Sequence, residues 1–184
     1  MSQDIIIDVR IAKYGDPKAR MIANYDSRNA VLSIDRLLPY ELPKDPYKNK
    51  TPEQIEMLKD LARHTLKVVD NPSIAKWDLY FQEREHITFA ISAYYELIRS
   101  NSLLLGEEIK SQFSMDDVIQ VRTIDASKGS VYELNPDSVE CGHVAILAAC
   151  WAALRAGGSA SLIEESEADP TQEQIDDFLV PFTI

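Results

Sequence analysis

The stretch that decides the fold is IIIDVRIAKYGDPKARMIANYDSRNAVLSID, residues 5–35. Ile5, Ile7, Val9 and Ile11 alternate with Ile6, Asp8, Arg10 and Ala12. A period of two residues is the mark of a strand with one buried face. Gly15, Asp16 and Pro17 then supply turn chemistry. ARMIANY (19–25) follows as a second strand, DSRN (26–29) as a second turn and AVLSID (30–35) as a third strand. Connections this short join antiparallel neighbours, so the segment predicts a three-stranded meander.

Downstream the period changes. LLPYELPKDPYKNK (37–50) holds three prolines and no periodicity, so it predicts an irregular crossover. Thr51-Pro52-Glu53-Gln54 has the form of a capping box with proline at the first helical position. From there Ile55, Leu58, Leu61, Ala62, Leu66 and Val69 recur at spacings of three and four. That pattern predicts a helix to about Val69. A second helix is expected over about 74–104, on a stripe of Trp77, Tyr80, Ile87, Ile91, Tyr94 and Ile98. Arg84 falls on that stripe, inside the polar run QEREHI (82–87), where an apolar residue is expected.

A short helix is expected over 107–113. A hairpin follows, from VIQVRTID (118–125), ASKGS (126–130) and VYEL (131–134). The last major helix, about 137–156, contains VAILAACWAAL and is apolar on all sides. Such a helix belongs at the centre of a core, and Gly157-Gly158 is expected to end it. The fold class is therefore α+β: an antiparallel sheet, from the N-terminal meander plus the central hairpin, packed against three main helices. Residues 1–158 form one domain in this reading, and 159–184 an acidic C-terminal tail with an apolar tip.

The net charge of −11 is unevenly placed. Residues 159–184 hold seven acids and no Lys or Arg, leaving −4 for the rest. No segment is basic enough for a nucleic-acid footprint, so no direct nucleic-acid binding is expected. No apolar run approaches the roughly 20 residues of a membrane span. The first residues carry charges within their apolar stretch and do not read as a signal peptide. A cytoplasmic protein without membrane contact is expected. Cys141 and Cys150 stand roughly 13 Å apart along one predicted helix, too far to bridge, and read as buried thiols.

Two Glu-x-x-His pairs stand out, Glu83/His86 and Glu140/His143. Residues i and i+3 share a helical face, so each pair can present a carboxylate and an imidazole to one ion. Carboxylate-bridged di-iron bundles join two such pairs to two further glutamates. Glu56 can supply one here. For the other, Glu107 and Glu108 lie roughly 35 Å from Glu83 along the predicted helix. A divalent-metal enzyme using Glu56, Glu83, His86, Glu140 and His143 is thus the alternative reading, and no cofactor is expected under the main one.

The main reading rests on the tail, EESEADPTQEQIDDFLVPFTI (164–184), where acids surround Ile175, Phe178, Leu179, Val180 and Phe182. Acidic solvation with apolar anchors suits a peptide that docks into a groove. In character the segment resembles the acidic, Phe-tipped interaction tails of single-strand DNA-binding proteins. The expected function is a non-catalytic protein-interaction role, as inhibitor, immunity protein or assembly factor, with self-association to a homo-oligomer or a separate protein partner. Trp77, Tyr80, Tyr94, Phe178, Leu179 and Phe182 are the expected contact residues, because aromatic anchors dominate interface energetics.

Overall fold

The computed structural model describes residues 4–12, 19–39, 47–72, 77–125 and 129–165. The elements are β1 (Ile5–Ile11), β2 (Ala19–Asp26), β3 (Val31–Pro39), α1 (Pro52–Arg63), β4 (Thr65–Val69), β5 (Leu79–Tyr80), α2 (Glu83–Arg99), β6 (Leu103–Leu105), α3 (Glu107–Gln112), β7 (Ile119–Asp125), β8 (Gly129–Leu134) and α4 (Cys141–Glu165). The class is α+β. The meander forms as its pattern dictates: β1 pairs β2 and β2 pairs β3, both antiparallel. Asp26 closes the second turn. Its carboxylate accepts the N–H groups of Arg28 (2.9 Å) and Asn29 (3.2 Å), and Ala30 takes a positive φ.

The sheet built on this meander has six strands and is mixed, in the order β5-β4-β1-β2-β3-β6. β4 lies parallel to β1, β5 parallel to β4, and β6 parallel to β3. The hairpin β7–β8 makes a separate two-stranded sheet and does not extend the meander.

Three strands replace expected helix. The first helix keeps its capping box: the Thr51 hydroxyl accepts from Gln54 N–H at 3.3 Å and Gln54 Oε1 accepts from Thr51 N–H at 3.1 Å. It stops at Arg63. Leu66 and Val69 then belong to β4, whose entry is locked by Ile6 N–H donating to the His64 carbonyl at 2.8 Å. The segment TLKVV is rich in β-branched residues, and pairing with a central strand overrides its helical spacing. The second helix begins at Glu83, not near 74, so Trp77 and Tyr80 precede it. Arg84 is consequently no defect in an apolar stripe. It is an exposed residue of the first turn. That helix ends at Arg99, where Asn101 turns the chain at positive φ into β6.

α4 lies across the sheet and packs on β1, β2, β3, β4 and α2. Its residues from Cys141 to Ala153 are all buried. They meet Ile7, Val9 and Ile11 of β1, Met21, Ala23 and Tyr25 of β2, and Ile91, Ala93 and Leu97 among others. Burying each large side chain contributes about 1.5–3 kcal/mol. The helix does not stop at Gly157-Gly158 but continues to Glu165, so the expected domain boundary at 158/159 falls inside it. Gly157 serves packing: a Cβ there would stand 2.6 Å from the Tyr25 hydroxyl.

The crossovers β3–α1–β4 and β5–α2–β6 traverse the sheet in opposite directions. Right-handed connections therefore place α1 and α2 on opposite faces. α2 joins α4 over the core. α1 has no buried residue, and Met57 on it is 72% exposed. The described residues include no helix long and apolar enough to cross a membrane.

Gly106 sits where β6 leaves the sheet, its N–H donating to the Ile34 carbonyl at 2.8 Å. A Cβ at this position collides with the Asp35 carbonyl oxygen, a backbone atom that cannot swing away. Gly106→Ala is expected to destabilise the protein by about 2 kcal/mol. Thermal unfolding checks this, with Tm lower by roughly 4–8 °C.

Candidate functional site

The polar run QEREHI forms the first turn of α2. Its neighbours explain what it does there. β4 and β5 both run toward this point, and the start of α4 reaches it from the core side through Val144. Between them lies a half-open cleft of about 250 Å³. Tyr80 of β5 and Phe81 just after it wall one side, Gln82 at the cap of α2 with Glu83 and Arg84 of its first turn another, and Asp70 just past the end of β4 a third. The carboxylate of Asp70 is fixed in place: the Ala12 N–H donates to both its oxygens, at 2.9 and 3.0 Å. Trp77 packs on Tyr80. Its ring centroid lies 5.7 Å from that of Tyr80 at a tilt of 50°, and it remains 38% exposed. Two of the expected contact residues, Trp77 and Tyr80, are thus brought together.

Tyr94 belongs to a different cluster. It is partly buried and meets Tyr95 edge-on at 5.4 Å, and Tyr95 meets Tyr132 of β8 at 5.8 Å. Val121 pairs with Tyr132 across the hairpin. Tyr95, Ile98 and Val121 are exposed, so this aromatic contact carries an apolar strip from α2 onto the hairpin. Spacing places Ile98 on the apolar stripe of the second helix, yet it is 44% exposed; Tyr95 and Val121 carry no such signal, because their exposure depends on how the hairpin docks. Phe178, Leu179 and Phe182 lie outside the described residues.

The five residues of the metal reading do not assemble. Among the described residues no group of three or more His, Cys, Asp or Glu side chains is placed to hold a metal ion. Glu56 is exposed on α1, 3.6 Å from Arg63. Both histidines have a different task. His86 Nδ1 accepts the Gln82 N–H at 2.9 Å, and His143 Nδ1 accepts the Glu140 N–H at 3.0 Å. In each case an imidazole reaches back to the N–H at the helix start, as Glu or Gln does in a capping box. Because Nδ1 accepts, Nε2 carries the proton. In His143 it donates to the Ser114 carbonyl at 3.2 Å, tying the loop after α3 to α4. Coordination through either Nε2 would move that proton and give up the cap. The Glu-x-x-His spacing reflects two helix beginnings, with Glu140 as the capping residue of α4 and Glu83 the first residue of α2.

His86 also stacks on Trp151 at 4.7 Å, and the Arg155 guanidinium lies over the same indole at 5.0 Å. Burial pushes the His86 pKa below its ordinary value, Glu85 opposes that shift and Arg155 adds to it. Burial likewise lowers His143, against Glu140 and the Ser114 carbonyl. Burial raises Cys141, and Cys150 is raised the same way, so both thiols are held protonated and unreactive.

A second polar cluster lies on the opposite face of β1. Asp8 is buried, and both Arg10 and Arg20 fork onto it. Arg20 donates through Nε and Nη2, each at 3.1 Å, and Arg10 through Nη2 at 3.0 Å and Nε at 3.5 Å. Burial acts to raise the Asp8 pKa, but the hydrogen bonds from the two guanidiniums outweigh it and hold the carboxyl below its usual range. Asp8→Asn is expected to cost about 2–3 kcal/mol, since it leaves two cations around a neutral amide. Urea unfolding at neutral pH reads this directly.

The histidines make stability pH-dependent. Their folded pKa values lie below the unfolded value near 6.5. Their contribution is complete above that value and is lost as pH falls through the folded pKa values. Each imidazole steepens the decline by at most about 1.4 kcal/mol per pH unit. Urea unfolding from pH 7.5 to 5 is expected to show the decline, and His143→Gln to flatten part of it. A wild-type profile that is flat below pH 6.5 would contradict the buried neutral state. Comparison of the chain with protein-family models, with curated proteins and with solved structures finds no match.

Proposed function

We propose that this protein acts by protein–protein recognition and not by bond-making chemistry, as an inhibitor, immunity protein or assembly factor. The observation that carries this reading is the Trp77–Tyr80 pair, an exposed indole packed on a tyrosine. Large aromatics kept exposed are what interface anchors look like. The apolar strip through Tyr95 and Val121, the latter 62% exposed, supports it. So do the acidic balance and the acidic tail with its Phe178, Leu179 and Phe182. In this reading the aromatic pair and the tail each make contacts, in self-association or with a separate protein.

Size-exclusion chromatography with light scattering tests it on the intact chain. Full-length protein is expected to run as an oligomer, and deletion of 166–184, Trp77→Ala and Tyr95→Asp each to shift it toward the monomer. A full-length protein that is strictly monomeric, with all three variants indistinguishable from it, would overturn self-association. Elemental analysis of protein prepared without chelator completes the test, since stoichiometric metal lost on replacing His86 and His143 would favour the enzymatic alternative.

A further inference from the structure

We infer that β7, the outer strand of the hairpin, pairs antiparallel with the β7 of a second copy of this chain about a two-fold axis at Val121. The two hairpins then join into one intermolecular sheet. The inference rests on the protein-recognition reading and names the partner as another molecule of the same chain.

The edge itself is the first observation. β7 and β8 form a sheet of their own. β8 is the strand that lies against α2, so β7 is the outer one. The borders of the main sheet are two and three residues long, whereas β7 runs for seven and holds no proline. Gln120, Val121, Arg122 and Thr123 are all exposed. Two strands alone are marginal in water, and an exposed edge of this length is a template for another strand.

Backbone direction then sets the register. The Val118 carbonyl accepts the Asn135 N–H at 2.8 Å, at the point where the pairing of Ile119 with Leu134 continues by one residue. Residues of an antiparallel strand alternate between those that bond the neighbour and those that do not. Gln120 and Arg122 therefore turn their N–H and C=O groups toward β8. Ile119, Val121 and Thr123 turn theirs outward. The ladder shifts register after Thr123, so the regular edge is 119–123 and its midpoint is Val121. A two-fold axis there makes the contact isologous: Val121 meets Val121, and Ile119 meets Thr123. The Ile119 N–H is already given to the Met115 carbonyl at 3.2 Å. The seam is held by the mutual bonds of the two Val121 residues and by each Thr123 N–H donating to the Ile119 carbonyl of the other copy.

Side chains agree with that register. Two chains that each carry −11 repel, so a contact between them needs a neutral seam. Arg122 is the one charged residue of 119–123, and Glu133 of the same hairpin holds it at 2.9 Å. With the axis at Val121, Arg122 faces Gln120 of the second copy. An axis at Arg122 keeps outward groups paired but sets two guanidiniums directly opposite, which is destabilising. On the other face Val121, 62% exposed, stands opposite Tyr132, which meets Tyr95 of α2 at 5.8 Å. The axis at Val121 joins this apolar strip to its copy and covers each Val121 with the other.

Cysteine variants of the full chain test the geometry. In a hydrogen-bonded antiparallel pair the two Val121 residues stand about 5.5 Å apart at Cα, inside the range of about 4.4–6.8 Å that a disulfide spans. The two Thr123 residues are offset along the strands and stand roughly 14 Å apart. Cys141 and Cys150 are buried, so wild-type protein is the blank. Under mild oxidation Val121→Cys is expected to form a disulfide dimer on a non-reducing gel, and Thr123→Cys to do so at least about tenfold more slowly. Val121→Pro removes an outward N–H and no bond to β8. Light scattering is expected to show a dimer for wild type and a monomer for Val121→Pro, with an unchanged circular dichroism spectrum showing that the variant folds. Equal cross-linking of the two cysteine variants, none in Val121→Cys, or a Val121→Pro that stays dimeric would each overturn the pairing. If Val121→Pro misfolds, the cysteine variants decide alone. An oligomer that is lost on deletion of 166–184 yet gives no cross-link in Val121→Cys removes this interface and leaves self-association standing. A wild type that is monomeric at every loading removes both, and makes a strand of a different protein the occupant of the edge.

Discussion

A helix without a polar stripe has to be covered on every side. From Cys141 to Ala153 no residue of α4 keeps appreciable contact with water, and the rest of the molecule is arranged to make that so. The alternating apolar residues of the meander cover one side, and α2 lies along another. Alanines at 145, 148, 149, 152 and 153 let the neighbouring backbones approach closely, while Trp151 fills the remaining width against Phe81 and His86. The placement of α4 also decides where chemistry can be presented. Its first turn arrives beside the start of α2 and the end of β4, and the cleft is the space those ends leave.

Polar groups near this core are arranged to satisfy one another. The histidines cap helix starts, Asp70 caps the end of β1, and Asp8 gathers two arginines on the far face of the same strand. A buried ion pair of this kind contributes little net stability compared with an apolar replacement, but leaving one member unpartnered is costly. Asp8, central in β1, therefore constrains how the far side of the sheet is dressed.

Much of the architecture was legible in residue spacing. The meander, the capping box at Thr51, the short helix after Gly106, the hairpin and the buried final helix all follow from local pattern. The strands β4, β5 and β6 did not. TLKVV continues the three-and-four spacing of the preceding helix, and only the waiting edge of β1 turns it into a strand. β5 and β6 are too short to leave a periodic trace. The helical spacing therefore runs on across β5 and sets Arg84 where an apolar residue is expected. Of the candidate site, Trp77 and Tyr80 were legible as large exposed-capable aromatics, and their meeting was not, because it depends on a two-residue strand. The Glu-x-x-His repeats were visible but ambiguous, since one spacing serves both metal ligation and the start of a helix.

The two borders of the main sheet are stubs, two residues at β5 and three at β6. Long bare borders invite other chains to add on, and short ones offer too few backbone groups to template that growth. Any association this protein undergoes is therefore steered away from ribbon-like extension of the six-stranded sheet.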